Sequence, residues 1–90
     1  MSDFSYGVHL KTVRLQLKAS YERKLRDFER KLERAESDLE RAKNQKTNKV
    51  YRDGEFVYEA DTNAIRKAQE KILDLKDRIA YYEDLIASLE

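Results

Sequence analysis

The chain contains no cysteine and no proline, and its only glycines are Gly7 and Gly54. Without thiols it can form no disulfide, bind no zinc through thiolates and perform no thiol chemistry. Two glycines are too few for a phosphate-binding glycine loop. No apolar run approaches the ~18 residues of a membrane span. Charge of one sign is also lacking. Nineteen basic residues face eighteen acidic ones, for a formal net charge of +1, and that balance argues against a general polyanion binder. The start, Met1-Ser2-Asp3-Phe4, has neither a charged n-region nor an apolar h-region. No signal peptide is therefore expected, and the expected location is the cytoplasm, or the host cytoplasm and virion if the protein is viral.

Candidates for chemistry are equally sparse. His9 is the single histidine. With no second metal ligand or nucleophile at useful spacing, it reads as an ordinary surface or interface residue. Ser5, Ser20, Ser37 and Ser88 have no base at a recognisable distance. The carboxylates sit beside Lys and Arg on what read as exposed helix faces, where nothing raises a pKa for acid–base work. The expectation is a protein with no catalytic residue, no cofactor, no metal and no small-molecule substrate, and hence not an enzyme.

What the chain does have is charge and helix formers. Asp, Glu, Lys and Arg make up 41% of its 90 residues. A composition rich in Lys, Arg, Glu and Leu with almost no breakers is that of long helices. Its length allows one domain, residues 1–90. Residues 1–19 read two ways. Phe4, Tyr6 and Val8 alternate as in a strand, as do Val13, Leu15 and Leu17, whereas Leu10, Val13, Leu17 and Tyr21 fit a helical stripe. An aromatic arm is expected at the extreme N-terminus, hinged at Gly7, with helix starting between Val8 and Ser20.

Residues 20–43 read as a helix. Tyr21, Leu25, Phe28, Leu32, Ala35, Leu39 and Ala42 recur at alternating steps of four and three, the a/d seam of a heptad. Upstream, the steps from Val13 through Leu17 and Tyr21 to Leu25 are all four, a stutter that unwinds the supercoil locally. Glu22–Arg26 and Asp27–Lys31 are favourably ordered i, i+4 pairs. Residues 62–89 read as a second helix, with N-caps offered by Asp61, Thr62 and Asn63. Its seam is Ile65, Ala68, Ile72, Leu75, Ile79, Tyr82, Ile86 and Leu89, with isoleucine at every a position. Leu73, Tyr81 and Leu85 lie off the seam.

Between the helices, at about 49–58, stands Asp53-Gly54 flanked by β-branched and aromatic residues, the strongest short-range hairpin signal. A two-residue turn there pairs Arg52 with Glu55, Tyr51 with Phe56 and Val50 with Val57. An isolated hairpin is marginal in water, so its aromatic face is expected to rest on the helix ends or on another subunit. The hairpin is either a helix connector or a docking element. The fold class is thus mainly α: an antiparallel two-helix, coiled-coil-like hairpin with a short β-hairpin between the helices.

Two helices without staples make a poor core, so stability is expected to come from other copies or a larger partner. The seam residues Leu25, Phe28, Leu32, Leu39, Ile65, Ile72, Leu75, Ile79, Tyr82 and Ile86 are the candidate oligomer contacts. Leu15, Leu73, Tyr81 and Leu85 are candidates for a second interface, and Tyr51, Phe56 and Tyr58 for docking. Residues 43–52 carry Lys43, Lys46, Lys49 and Arg52 with no acid. Such a tip can touch phosphates of a nucleic acid or an acidic protein surface, although a solvated lysine-rich loop is the simpler reading.

The order helix, Asp-Gly hairpin, helix resembles the W-type head-to-tail joining proteins of tailed bacteriophages. The similar stretch runs from Leu32 to Leu89. It centres on Val50-Tyr51-Arg52-Asp53-Gly54-Glu55-Phe56-Val57-Tyr58, followed by the Ile65, Ala68, Ile72, Leu75 helix. The resemblance implies two antiparallel helices with the hairpin packed at their side, in a ring beneath the portal that prepares the filled head for tail attachment. It also implies that Tyr51, Phe56 and Tyr58 pack the hairpin on the helices, and that Lys46, Lys49 and Arg52 face the portal or DNA. The helices here are longer than in that family, and the N-terminal arm has no counterpart. Two other classes fit the same residues: a small helical module that regulates or inhibits a host protein, and a dimeric nucleic-acid binder.

Overall fold

A computed structural model describes the backbone of residues 3–90 and the side chains from residue 10 onward. Its elements are helix α1 (Asp3–Asn44), strands β1 (Asn48–Arg52) and β2 (Glu55–Glu59), and helix α2 (Thr62–Leu89). The expected mainly α fold is the one observed: two helices in contact, joined by a two-stranded antiparallel hairpin. One expectation is corrected. Among the described residues helix α1 begins at Asp3 and runs through Gly7, so Phe4–Val8 form no strand, Gly7 is no hinge, and the helix is already present before the Val8–Ser20 window. The strand-like alternation there competes with strong helix formers downstream, and a helix already nucleated extends at little cost. The side chains of Phe4, Tyr6, Val8 and His9 lie outside the described residues.

Each element ends for a local reason. Arg41 and Lys43 in the last turn of α1 complement the negative end of its dipole. After Asn44 the polar, helix-poor Thr47 and Asn48 let the chain turn extended. Helix α2 starts at Asp61, whose carboxylate accepts hydrogen bonds from the backbone N–H groups of Asn63 (3.0 Å) and Ala64 (3.3 Å). That is an N-cap, and it satisfies two otherwise orphaned donors. At the tip, Asp53 (φ 51°) and Gly54 (φ 83°) are both left-handed, the signature of a type I′ turn. The strand register is the one expected, with Val50 opposite Val57, Tyr51 opposite Phe56 and Arg52 opposite Glu55.

The helices run antiparallel. Lys18 meets Glu90, Phe28 meets Tyr82, and Ala35 packs with Ile72 and Leu75. The core is a thin line along this contact. Ala35, Ile72, Leu75 and Ile79 are the buried side chains among the described residues, and all four are apolar. Ala35 is the most buried, at 3% exposure, because a small side chain lets the facing Ile72 and Leu75 close over it. Phe28, Leu32 and Leu39 flank this cluster half-covered.

The molecule is a rod of 86 × 14 × 13 Å. At 1.5 Å per residue α1 accounts for about 63 Å of that length. The hairpin supplies the remainder, because it continues the rod past the helices and packs against neither of them.

Candidate functional site

All ten seam residues fall on the α1–α2 contact of one chain. Ile72, Leu75 and Ile79 are buried, and Leu25, Phe28, Leu32, Leu39, Ile65, Tyr82 and Ile86 are half-buried. The three–four spacing therefore serves the intramolecular pairing of the helices. Aromatic side chains gather near the end of α2. Tyr82 stacks on Phe28 with centroids 5.6 Å apart, meets Tyr21 at 6.1 Å, and takes Tyr81 edge-on at 5.4 Å. Lys24 lies 5.8 Å from the Tyr82 ring centroid. Leu85 is half-buried rather than off the contact, while Leu15, Leu73 and Tyr81 are exposed as expected. Lys18 pairs with Glu90 at 3.1 Å. The hydrogen bond that the Lys18 ammonium donates to the Glu90 carboxylate, together with that carboxylate's negative charge, holds Lys18 above its ordinary pKa range. Of the two expected helix pairs, Asp27–Lys31 closes at 3.3 Å and Glu22–Arg26 does not.

The hairpin carries the second set of candidates. Successive side chains alternate between faces, so the register places Lys49, Tyr51, Phe56 and Tyr58 together on one face. Tyr51 and Phe56 meet edge to face at 5.1 Å, and the Lys49 ammonium lies 4.5 Å from the Phe56 centroid. All three aromatics are about 60% exposed. They do not rest on the helices, which corrects that expectation. The short connectors Gln45–Thr47 and Ala60–Asp61 carry the strands on beyond the helices, with no contact between either strand and either helix. The hairpin also departs here from the packed position that the phage resemblance implies. The result is an apolar platform with one cation at its edge, a surface suited to a flat apolar or aromatic partner.

The basic tip is less basic in space than along the chain. Arg52 lies on the opposite face of the hairpin from Lys49. It is bound by the Glu59 carboxylate, with Nε at 2.7 Å and a second nitrogen at 3.1 Å. Sequence reasoning paired Arg52 with Glu55 as direct cross-strand neighbours. The side chain instead reaches across the half-buried Val50–Val57 pair to Glu59, where an ion pair and a hydrogen bond form. Asp53, Glu55, Glu59 and Asp61 offset Lys43, Lys46, Lys49 and Arg52 one for one over residues 43–61. Arg52 is thus engaged within the hairpin, and the Lys49 ammonium lies over the Phe56 ring.

The third feature was legible only in part. Glu90 sits beside Lys18, and α1 extends N-terminal to that pair. On that stretch Leu10, Val13, Leu15 and Leu17 are exposed. Among the described residues no cavity and no group of three or more metal-ligating side chains is present, and no helix is long and apolar enough to cross a membrane. No family model, curated protein or solved structure matches the chain.

Proposed function

We propose that this protein is a non-enzymatic structural component that acts in several copies and joins a larger protein assembly. The observation that carries this reading is where its apolar side chains lie. Among the described residues four are buried, while nine large ones are exposed, grouped on the N-terminal part of α1, on the hairpin and on the outer face of α2. So thin a core gives a 90-residue chain little stability of its own, and covering the exposed groups in an assembly supplies more, at about 25 cal/mol per Å² buried. A virion part of the head-to-tail joining kind is the concrete form that the resemblance suggests. The hairpin's position at the end of the rod makes it the natural contact with a neighbouring ring. Sedimentation equilibrium of the pure chain tests the proposal. Higher-order species are expected, and a monodisperse, fully folded 10.7 kDa monomer at all concentrations would sink it.

A second reading is supported by the hairpin alone. An aromatic platform held clear of its own helices is the form of a docking element, so a module that binds and regulates or inhibits one host protein is the alternative. It predicts a stoichiometric complex that Tyr51→Ala with Phe56→Ala abolishes while the helical content of the chain stays the same.

A further inference from the structure

We infer that two copies of this chain join through the outer edges of β1, paired antiparallel about a twofold axis at Val50 into a four-stranded sheet. The inference rests on the multi-copy reading above and names the contact that such copies use. Among the described residues the sheet has two strands, and neither touches a helix, so both outer edges are open. A two-stranded hairpin without a helix against it is marginal in water, and further strands stabilise it. The backbone says what kind of occupant an edge takes. Across the two-residue Asp53-Gly54 turn, Arg52 and Glu55 exchange hydrogen bonds, and the alternation of an antiparallel ladder makes Val50–Val57 the next such pair. The N–H and C=O groups of Lys49 and Tyr51 on β1, and of Phe56 and Tyr58 on β2, therefore point outward. Such a row of donors and acceptors is a template for another strand.

Charge chooses between the edges. Two β2 strands centred on Val57 would set Glu55 directly opposite Glu59 twice, and like charges in that position are destabilising. Two β1 strands centred on Val50 set Asn48 opposite Arg52 and Lys49 opposite Tyr51, with no like-charged pair directly opposite. In that register the outward groups of Lys49 meet those of the partner's Tyr51, so the pair exchanges both backbone hydrogen bonds, as does its symmetry mate. The same pair sets a cation beside an aromatic ring, and Asp53 comes level with the partner's Lys46 and Thr47. The two Lys49 side chains become diagonal neighbours, but each ammonium leans over Phe56 of its own β2, 4.5 Å from the ring centroid and away from the shared edge. Shape excludes β1 of one copy on β2 of the next. That mode would set the rods side by side at ~9.6 Å, two strand spacings, closer than their 14 × 13 Å cross-section allows. The twofold contact points the rods in opposite directions and stops the partner's turn at Lys46, short of the end of α1 at Asn44. It is isologous, so it closes at two copies.

The experiment is sedimentation and small-angle scattering of the full chain over a concentration series, with amide hydrogen exchange read by NMR. A reversible dimer is expected, since the contact is far smaller than a standard interface of roughly 1,600 Å². Its maximum dimension should be about 155 Å, twice the 86 Å rod less ~17 Å of strand overlap. The amides of Lys49 and Tyr51 should exchange more slowly as concentration rises, while those of Phe56 and Tyr58 stay fast. Lys49→Pro removes an outward donor and spares the Val50–Val57 bonds. It should weaken dimerisation roughly tenfold or more, with the Tyr51–Phe56 ring contact kept. Tyr58→Pro blocks the other edge in the same way and should leave dimerisation unchanged. If either proline opens the hairpin, the wild-type exchange pattern decides. Concentration-dependent protection at Phe56 and Tyr58, protection at neither edge, or a dimer that survives Lys49→Pro overturns the β1 contact and leaves the multi-copy reading standing. A monomer under every condition overturns both.

Discussion

The middle of the rod and its β tip carry similar apolar side chains in different settings. In the middle, Ile72 and Leu75 close on Ala35, Ile79 is buried further along α2, and each helix is held in place by the other. At the tip, Tyr51, Phe56 and Tyr58 are more than half exposed, and the strands are held by a turn whose two residues both adopt positive φ. The first structure is a product of long-range packing, the second of local backbone chemistry. The two should therefore fail separately.

The sharpest way to break the middle is Ile79→Asp. A carboxylate in the buried line costs about 3 kcal/mol or more, a large share of what so thin a core supplies. Most of the signal at 222 nm should be lost near room temperature. Unchanged helicity would mean that this contact does not hold the helices.

The corresponding test of the tip is Gly54→Val. A Cβ at Gly54 would have room, with its nearest neighbour the Tyr51 hydroxyl at 3.8 Å, so the damage comes from the φ of +83° rather than from crowding. A β-branched residue resists that conformation at a cost of about 1–3 kcal/mol. The Tyr51–Phe56 ring contact should vanish from proton NMR spectra while helix content stays the same. Loss of helix in this variant would show that the tip supports the middle after all.

Asp61→Ala acts at the junction between the two regions. It removes both capping hydrogen bonds of α2 and should lower stability by about 1 kcal/mol in thermal or denaturant melts, with fraying confined to the first turn. The smallest effect belongs to Lys18–Glu90. Glu90 raises the pKa of Lys18 in the folded chain. The contact therefore stabilises fully below the ordinary lysine value of 10.5 and is lost as the pH climbs through the raised folded value. The pair's small contribution to the melting temperature should be constant from neutrality to about pH 9. Beyond pH 10.5 the wild type should lose a small increment that Lys18→Met lacks throughout.

Much of this organisation was legible in the residues. The Asp53-Gly54 turn fixed the hairpin register to the residue, because a two-residue loop allows one pairing. Isoleucine at each a position and the three–four steps marked the helix faces that pack. The start of α1 was misread because Phe4, Tyr6 and Val8 alternate, and local pattern cannot weigh a strand against the extension of an existing helix. The Arg52–Glu59 pairing was missed because opposite positions in a ladder say nothing of how far a long side chain reaches. The position of the hairpin beyond the helices left no mark in any single segment.

The sequence by itself determined the elements, their capping, the turn type and the apolar stripes, since each depends on backbone preferences and periodicities within a few residues. The tertiary structure alone decided how those stripes are shared. Antiparallel pairing within one chain sets Glu90 beside Lys18, and that register covers the stripe of α1 from Tyr21 onward while leaving Leu10, Val13 and Leu17 bare. Spacing says which face of a helix is apolar; only the offset of the two helices determines which part of that face the other helix covers.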